Sequence, residues 1–269
     1  MKHSPSHSVI HPDAKIGSNV TIGPFCYIDG DVVIGDNTWI GPNVTIFDGA
    51  RIGDDVKIFP GAVISGIPQD LKFEGEVTTA EIGSGSTIRE YVTVNRGTKY
   101  AGKTVVGESC LLMAYVHVAH DCLLGNNVIL ANNVTLAGHV EIADWAILEG
   151  LVAVQQFTKI GGHSFIAGGS LVRKNVPPFI KAAREPLSYV GVNHVGLKRR
   201  SFTSEQINHI HEIYRILFVK GHNITNAINE INDTVASTPE REAILSFIKE
   251  ADSGIVKGFQ QINGSLYED

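Results

Sequence analysis

The 269-residue chain is short of positive charge, with 22 Lys and Arg against 28 Asp and Glu. That balance excludes a surface that is basic all round, as nucleic-acid binding would favour, although it leaves local basic patches open. Cysteine is scarce and odd in number. Cys26, Cys110 and Cys122 have no metal-site spacing, so they read as small, buried, reduced residues rather than a disulfide framework or a zinc site. No stretch approaches the roughly 18 consecutive apolar residues of a membrane span, and the polar start MKHSPSHS lacks a signal-peptide core. The expectation is a soluble, cytoplasmic protein with no transmembrane segment. Its length allows one large domain or two smaller ones.

What the chain does have is a period of six. Ile10, Ile16, Ile22, Ile28, Ile34, Ile40, Ile46, Ile52, Ile58 and Ile64 follow one another at that interval. The frame resumes at Ile82, Ile88 and Val94, then runs from Val106 through Val118, Leu124 and Leu136 to Val172. Asp70, Glu76 and Tyr100 fall on frame positions without being aliphatic, so two segments are expected to leave the wall as loops. A small or β-branched residue precedes each aliphatic site by two, as at Ala14, Val20, Cys26, Val32, Thr38 and Val44. Such a period fits neither a helix nor simple strand alternation; it fits short strands joined by repeated tight turns that carry Gly, Asn or Asp.

This pattern resembles the hexapeptide-repeat family, which implies a mainly β fold: a left-handed parallel β-helix of three sides, with three hexapeptides to each coil. Positions three repeats apart then stack. Beyond Val172 the sequence NVPPF breaks the frame, and TSEQ at 203–206 forms a capping box ahead of Ile207, Ile210, Ile213, Ile216 and Leu217 at helical spacing, with a stop at Gly221. Two further helices are expected at roughly 223–236 and 239–252, the latter opening on Thr238 and Pro239. The division is a β-helix over 1–190 and a C-terminal helical domain over 191–269.

Within the frame, AYVHVAHDCLLGNN at 114–127 places His117, His120 and Asp121 around the inward position Val118, at turns or on the outer face. Stacking by whole coils sets Gly138 beside His120 and His139 beside Asp121, with Gln156 one coil further on. Imidazole titrates near neutrality and suits general-base work. An adjacent carboxylate can orient the ring and stabilise the imidazolium, and an unhindered glycine amide can face an oxyanion. Base plus oxyanion donor points to acyl transfer. Adjacency in sequence leaves open whether Asp121 turns toward His120.

HVAHDC at 117–122, LANNVTLAGHV at 130–140, PQDLKFEGE at 68–76, VPPF at 176–179 and GVNHVGLKRRSF at 191–202 resemble the acyl-carrier-protein-dependent UDP-N-acetylglucosamine 3-O-acyltransferases of lipid A biosynthesis over essentially the whole chain. The resemblance implies a homotrimer with sites in the grooves between prisms. It implies transfer of a 3-hydroxyacyl chain from acyl carrier protein to the sugar 3-hydroxyl as the first step of that biosynthesis. No resident cofactor and no metal are expected, since phosphopantetheine arrives on the carrier protein. By the same resemblance His120 is the general base and Gly138 the oxyanion amide. Asp70, Lys72, His117, His139 and Gln156 hold the glucosamine or acyl portion, and Gly168 sets acyl length with a long-chain bias. In the basic run Lys198, Arg199 and Arg200, the guanidinium groups would pair with a diphosphate or the acidic carrier, with Asn193 near the uridine and Arg173 and Lys174 extending the carrier surface.

Gln155 stands where familiar members carry histidine, and Val195 where an acidic residue is common. Two other enzymes share the fold. A γ-type carbonic anhydrase would use His117, His120 and His139 as zinc ligands, but it would leave Asp70, Lys72 and the KRR run without a role. The related N-acyltransferase carries an extra domain before its repeats, and here the frame begins by Ile10.

Overall fold

A computed structural model describes residues 7–258; the last part of the expected helical domain, 259–269, lies outside the described residues. Short strands, mostly of two residues, recur at the hexapeptide frame and, among the described residues, stack into three sheets of nine, eight and eleven strands. Within the prism the pairings are parallel and join each strand to the one a full coil later, as in His117 with Thr135 and Val118 with Leu136. The molecule is a left-handed parallel β-helix followed by helices.

Each side of a coil turns a large and a small side chain into the interior. The aliphatic frame residues from Ile28 to Val172 are buried, and so is the row of small residues two positions earlier, including Val32, Thr38, Val44, Val116 and Val128. Pairing a large with a small side chain fills the narrow prism without voids. The three cysteines belong to the small row, free and buried, and their thiols donate to Gly41, Gly125 and Ala137 carbonyls. Burial pushes the Cys122 thiol up to about 12, which makes it inert as a nucleophile.

The corners need left-handed backbone. Asn19, Asn37, Asn43, Asn127 and Asn133 supply it where only a turn is required. Asp121 (φ 59°), His139 (φ 61°), Trp145 (φ 65°), Phe157 (φ 62°) and His163 (φ 57°) occupy equivalent corners, although bulky side chains there cost local strain.

Both expected loops form, and both leave the same edge of the prism. Val63 pairs with Thr93, and Thr93 with His117. Each of these two steps therefore takes in more chain than a standard coil, and the pairing of His117 with Thr135 restores the regular spacing. The first loop follows the strand Val63–Gly66 and the second follows Thr93–Asn95.

After Val172 the third sheet continues through Ile180–Ala183 and an antiparallel partner, Ser188–Val192, onto which the helices pack. Among the described residues four helices follow: α1 (His194–Arg199), α2 (Ser204–Phe218), α3 (Ile224–Thr234) and α4 (Pro239–Lys249). The Thr203 capping box and the Thr238 cap with Pro at N1 stand as expected. The short α1 was not expected from the sequence. It is too brief for an amphipathic period and is started by the Asn193 cap.

Candidate active site

The edge between the first and second sheets gathers His120, Asp121 and His139. On it lie the two loops, then His120 and Asp121, then Gly138 and His139, then Gln155, Gln156 and Phe157, each group one coil beyond the last. His117 sits beside them on the outer face of the first sheet. Its Nδ1 lies 2.7 Å from the Thr93 hydroxyl, and burial, followed by the charge of His120, lowers its pKa.

His120 and Asp121 do turn toward one another. His120 Nδ1 is 2.8 Å from Asp121 Oδ2. Asp121 is not on the outside as the sequence suggested, however: it is 3% exposed, because the second loop folds over it. Burial pushes its carboxyl pKa up. Hydrogen bonds from His120, the Thr98 hydroxyl and amide, and Ala101 outweigh that and hold it below the ordinary carboxylate value. Asp121 therefore stays ionised, fixes Nδ1 of His120 as the protonated nitrogen and leaves Nε2 as the acceptor.

Gly138 lies against the ring face. A Cβ built there would come within 2.6 Å of His120 Cε1 and 2.7 Å of Nε2, so only glycine lets the ring and the next coil approach this closely. The neighbouring amides of Ala137 and His139 bond Val154 and His120 carbonyls. Among the described residues no acceptor takes the Gly138 amide proton. A free N–H beside Nε2 is what an oxyanion donor requires.

His139 stacks on Phe157 at 4.4 Å, meets Tyr100 edge-on at 4.6 Å and lies at right angles to His120 at 5.0 Å. Burial lowers its pKa, and the charges of Asp121 and Asp70 oppose this. Its buried Nδ1 has no hydrogen-bond partner and lies 3.8 Å from Asp121 Oδ2. His120, Asp121 and His139 bring ligand atoms within 4.8 Å of one another. A metal ion there would have to break the His120–Asp121 bond and displace donors from a carboxylate that is already fully engaged. A cavity of about 380 Å³ opens beside the cluster, walled by Tyr100, Leu123, His139 and Phe157. A second depression, about 440 Å³ between Arg51, Glu81 and Asn126, gathers no such set of groups.

The remaining candidates are spread around the prism. Asp70 accepts from the Lys72 amide at 3.0 Å within the exposed first loop. Gln156 and Gln155 are exposed on the same edge. Gly168 is exposed on the edge between the third and first sheets, its amide donating to Glu149. Asn193 and Arg200 reach the edge between the second and third sheets at His163, and Arg199 is the last residue of α1 next to Arg200. Arg200 lies 5.2 Å over the Trp145 ring, with Nη1 3.5 Å from His163 Nδ1. Burial, then the charge of Arg200, drives His163 down to about 4. Arg199 is exposed.

Asn193, expected to contact uridine, is instead 4% exposed. Its amide caps α1 by accepting from Gly196 and donates to the His163 carbonyl. Arg173 and Lys174, expected in a carrier surface, pair with Glu185 and the Ser253 carbonyl. Sequence reasoning missed Thr98, Ala101 and Phe157. The break in the frame at Tyr100 was the signal for the first two, and an aromatic at the corner one coil after His139 was the signal for the third.

Residues 175–256 match the family model described as UDP N-acetylglucosamine O-acyltransferase, domain 2, and residues 31–66 and 103–138 match the bacterial transferase hexapeptide repeats. An acyl-acyl-carrier-protein–UDP-N-acetylglucosamine O-acyltransferase from Aliivibrio fischeri is 47% identical over 255 residues, covering 92% of this chain and 97% of its own. Among solved structures, a UDP-N-acetylglucosamine acyltransferase from Bacteroides fragilis superposes with TM-score 0.92 at 50% identity, covering 94% and 99% of the two chains. One from Francisella novicida gives 0.91 at 40% identity, covering 96% and 94%.

Proposed function

The chain belongs to the acyl-carrier-protein-dependent UDP-N-acetylglucosamine O-acyltransferases, enzymes of the first step of lipid A synthesis, and from that premise we propose how its residues carry the reaction. His120 is the general base. The acceptor is the 3-hydroxyl of UDP-N-acetylglucosamine, and the donor is a 3-hydroxyacyl thioester on acyl carrier protein. As the sugar oxygen attacks the thioester carbonyl, its proton passes to His120 Nε2 while Asp121 stabilises the imidazolium. The Gly138 amide receives the developing oxyanion. When the intermediate collapses, the C–S bond breaks and the imidazolium returns the proton to the leaving phosphopantetheine thiolate. The observation that carries this reading is the stack of Asp121, His120 and a free Gly138 amide in one corner. A base of this kind contributes about 10²–10⁴-fold and an oxyanion amide about 10²–10³-fold.

The acceptor needs two edges. The base lies on the first edge of the prism, whereas Arg199 and Arg200, suited to a diphosphate, lie on the second. The character of the outer faces supports an arrangement in which two protomers bring these together. The second sheet is laced with exposed ion pairs, Arg51–Asp31, Lys103–Glu81 and Lys159–Glu141, and suits solvent. The third presents a row of Leu111, Ile129, Ile147 and Phe165. In a homotrimer whose first sheets pack on the third sheets of their neighbours, threefold symmetry sets the His120 edge of one protomer against the Arg200 edge of the next. Asp70 and Lys72 on the first loop overhang that groove. This is the place for Gln156 and His139 on the sugar and acyl portions, while Gly168, the acyl-length position, lies apart from it on the edge between the third and first sheets.

The test is a donor and acceptor panel analysed by mass spectrometry. The expected product is a 3-O-ester of UDP-N-acetylglucosamine formed from 3-hydroxyacyl carrier protein. An amide on an amino-sugar acceptor, or transfer only from coenzyme A thioesters, would contradict the assignment.

A further inference from the structure

The second loop, 96–102, breaks the hexapeptide frame, and its contacts converge on one carboxylate. The Thr98 amide donates to Asp121 Oδ1 at 2.9 Å, the Ala101 amide to the same oxygen at 3.2 Å, and the Thr98 hydroxyl to Oδ2 at 2.7 Å. The remaining contact to Oδ2 comes from His120 Nδ1. Thr98 Oγ1 in turn accepts from the Tyr100 amide at 3.2 Å, so its single proton is directed to the carboxylate. Thr104 Oγ1 accepts from the Asp121 amide at 2.8 Å and pins this left-handed corner.

We propose that Thr98 is a positioning residue for acyl transfer, a claim that rests on His120 being the base. Its hydroxyl shares Oδ2 with His120 Nδ1 and fixes the plane of the carboxylate, and through it the plane of the imidazole against Gly138. Rotation of Asp121 by one staggered well would carry the ring away from the oxyanion amide. A misplacement of that size at a reacting group is worth about 10²-fold in rate.

The clamp is also tied to the substrate loop. Thr78 Oγ1 donates to the Gly97 carbonyl at 2.6 Å, and the Lys99 amide donates to Glu76 Oε1 at 2.9 Å. Glu76 is one of the residues that breaks the frame, and its carboxylate joins the loop bearing Asp70 and Lys72 to the loop that holds Asp121. Gly97 is required at the join, since a Cβ there would meet the Lys103 amide nitrogen at 2.3 Å.

Thr98→Val keeps the shape and removes the donor; Thr98→Ser keeps the donor. With saturating donor and acceptor, Thr98→Val is expected to lower kcat by about tenfold to a hundredfold, the loss typical of a hydrogen bond to a charged group. KM for UDP-N-acetylglucosamine should stay within about twofold, because the interaction acts on the transition state rather than on ground-state binding. Thr98→Ser should restore most of kcat. In an Asp121→Asn background, adding Thr98→Val should cost less than about twofold, because the two residues act as one unit.

A near-native kcat in Thr98→Val, or an equal loss in the Asp121→Asn background, overturns the proposal; so does a Thr98→Ser variant as impaired as the valine. If the valine variant does not fold, Thr98→Cys replaces it, with a lowered kcat expected and a native one contradicting the claim. His120→Ala separates the two levels. Near-native turnover there removes the base itself, whereas an inactive His120→Ala beside a native Thr98→Val removes only the clamp.

Discussion

At the scale of single residues, two positions make sharp predictions. Gly138→Ala would drive a methyl group into the His120 ring, which Asp121 holds from the other side. The expected result is a folded protein whose kcat falls by roughly 10²-fold, measured beside an unchanged circular dichroism spectrum. His163 makes a prediction about stability. Its folded pKa is depressed to about 4 by burial first and Arg200 second, whereas the unfolded chain titrates near 6.5. The folded state therefore resists a proton that the unfolded state accepts. The stability associated with neutral His163 is present above pH 6.5 and is lost as pH falls from 6.5 to about 4. The melting temperature of His163→Gln should fall less steeply across that window than that of the native protein. Parallel curves would contradict the buried, neutral histidine.

At the scale of elements, the hexapeptide frame made the prism, its edges and its two loops legible before any coordinates, because one period served both as fold signal and as address. Stacking by whole coils placed Gly138 beside His120 correctly. It could not show that Asp121 is enclosed, since the enclosing atoms come from Thr98 and Ala101 in a loop without a period. Nor could it show that Asn193 caps a helix, because a helix as short as α1 leaves no periodic trace. The helical segment was readable through its caps. Thr203→Ala removes one half of a reciprocal capping box and should cost about 1 kcal/mol, visible as a lowered denaturation midpoint with native turnover. Leu136→Ala, in the fully buried frame row, should cost about 2–5 kcal/mol; a loss below that range would mean the coils can close over the gap.

At the scale of the whole molecule, the outer faces of the second and third sheets differ in kind, and the residues proposed for one substrate lie on different edges. In the proposed homotrimer, one site is lined by the first edge of one protomer and the second edge of the next. Two inactive variants should therefore complement each other. Co-expressed His120→Ala and Arg200→Ala protomers should form mixed trimers that retain about a quarter of the native sites, because the first edge of one variant meets the second edge of the other. Activity no higher than the sum of the two separate variants would show that each site is built within one chain.

The most direct measurement of the central claim is the turnover of His120→Ala with saturating 3-hydroxyacyl carrier protein and UDP-N-acetylglucosamine. The predicted result is a kcat reduced by about 10²–10⁴-fold, with the nucleotide sugar still bound at near-native affinity and the trimer intact. A near-native kcat would contradict it, and would move the proton-accepting group away from the corner where His120 faces Gly138.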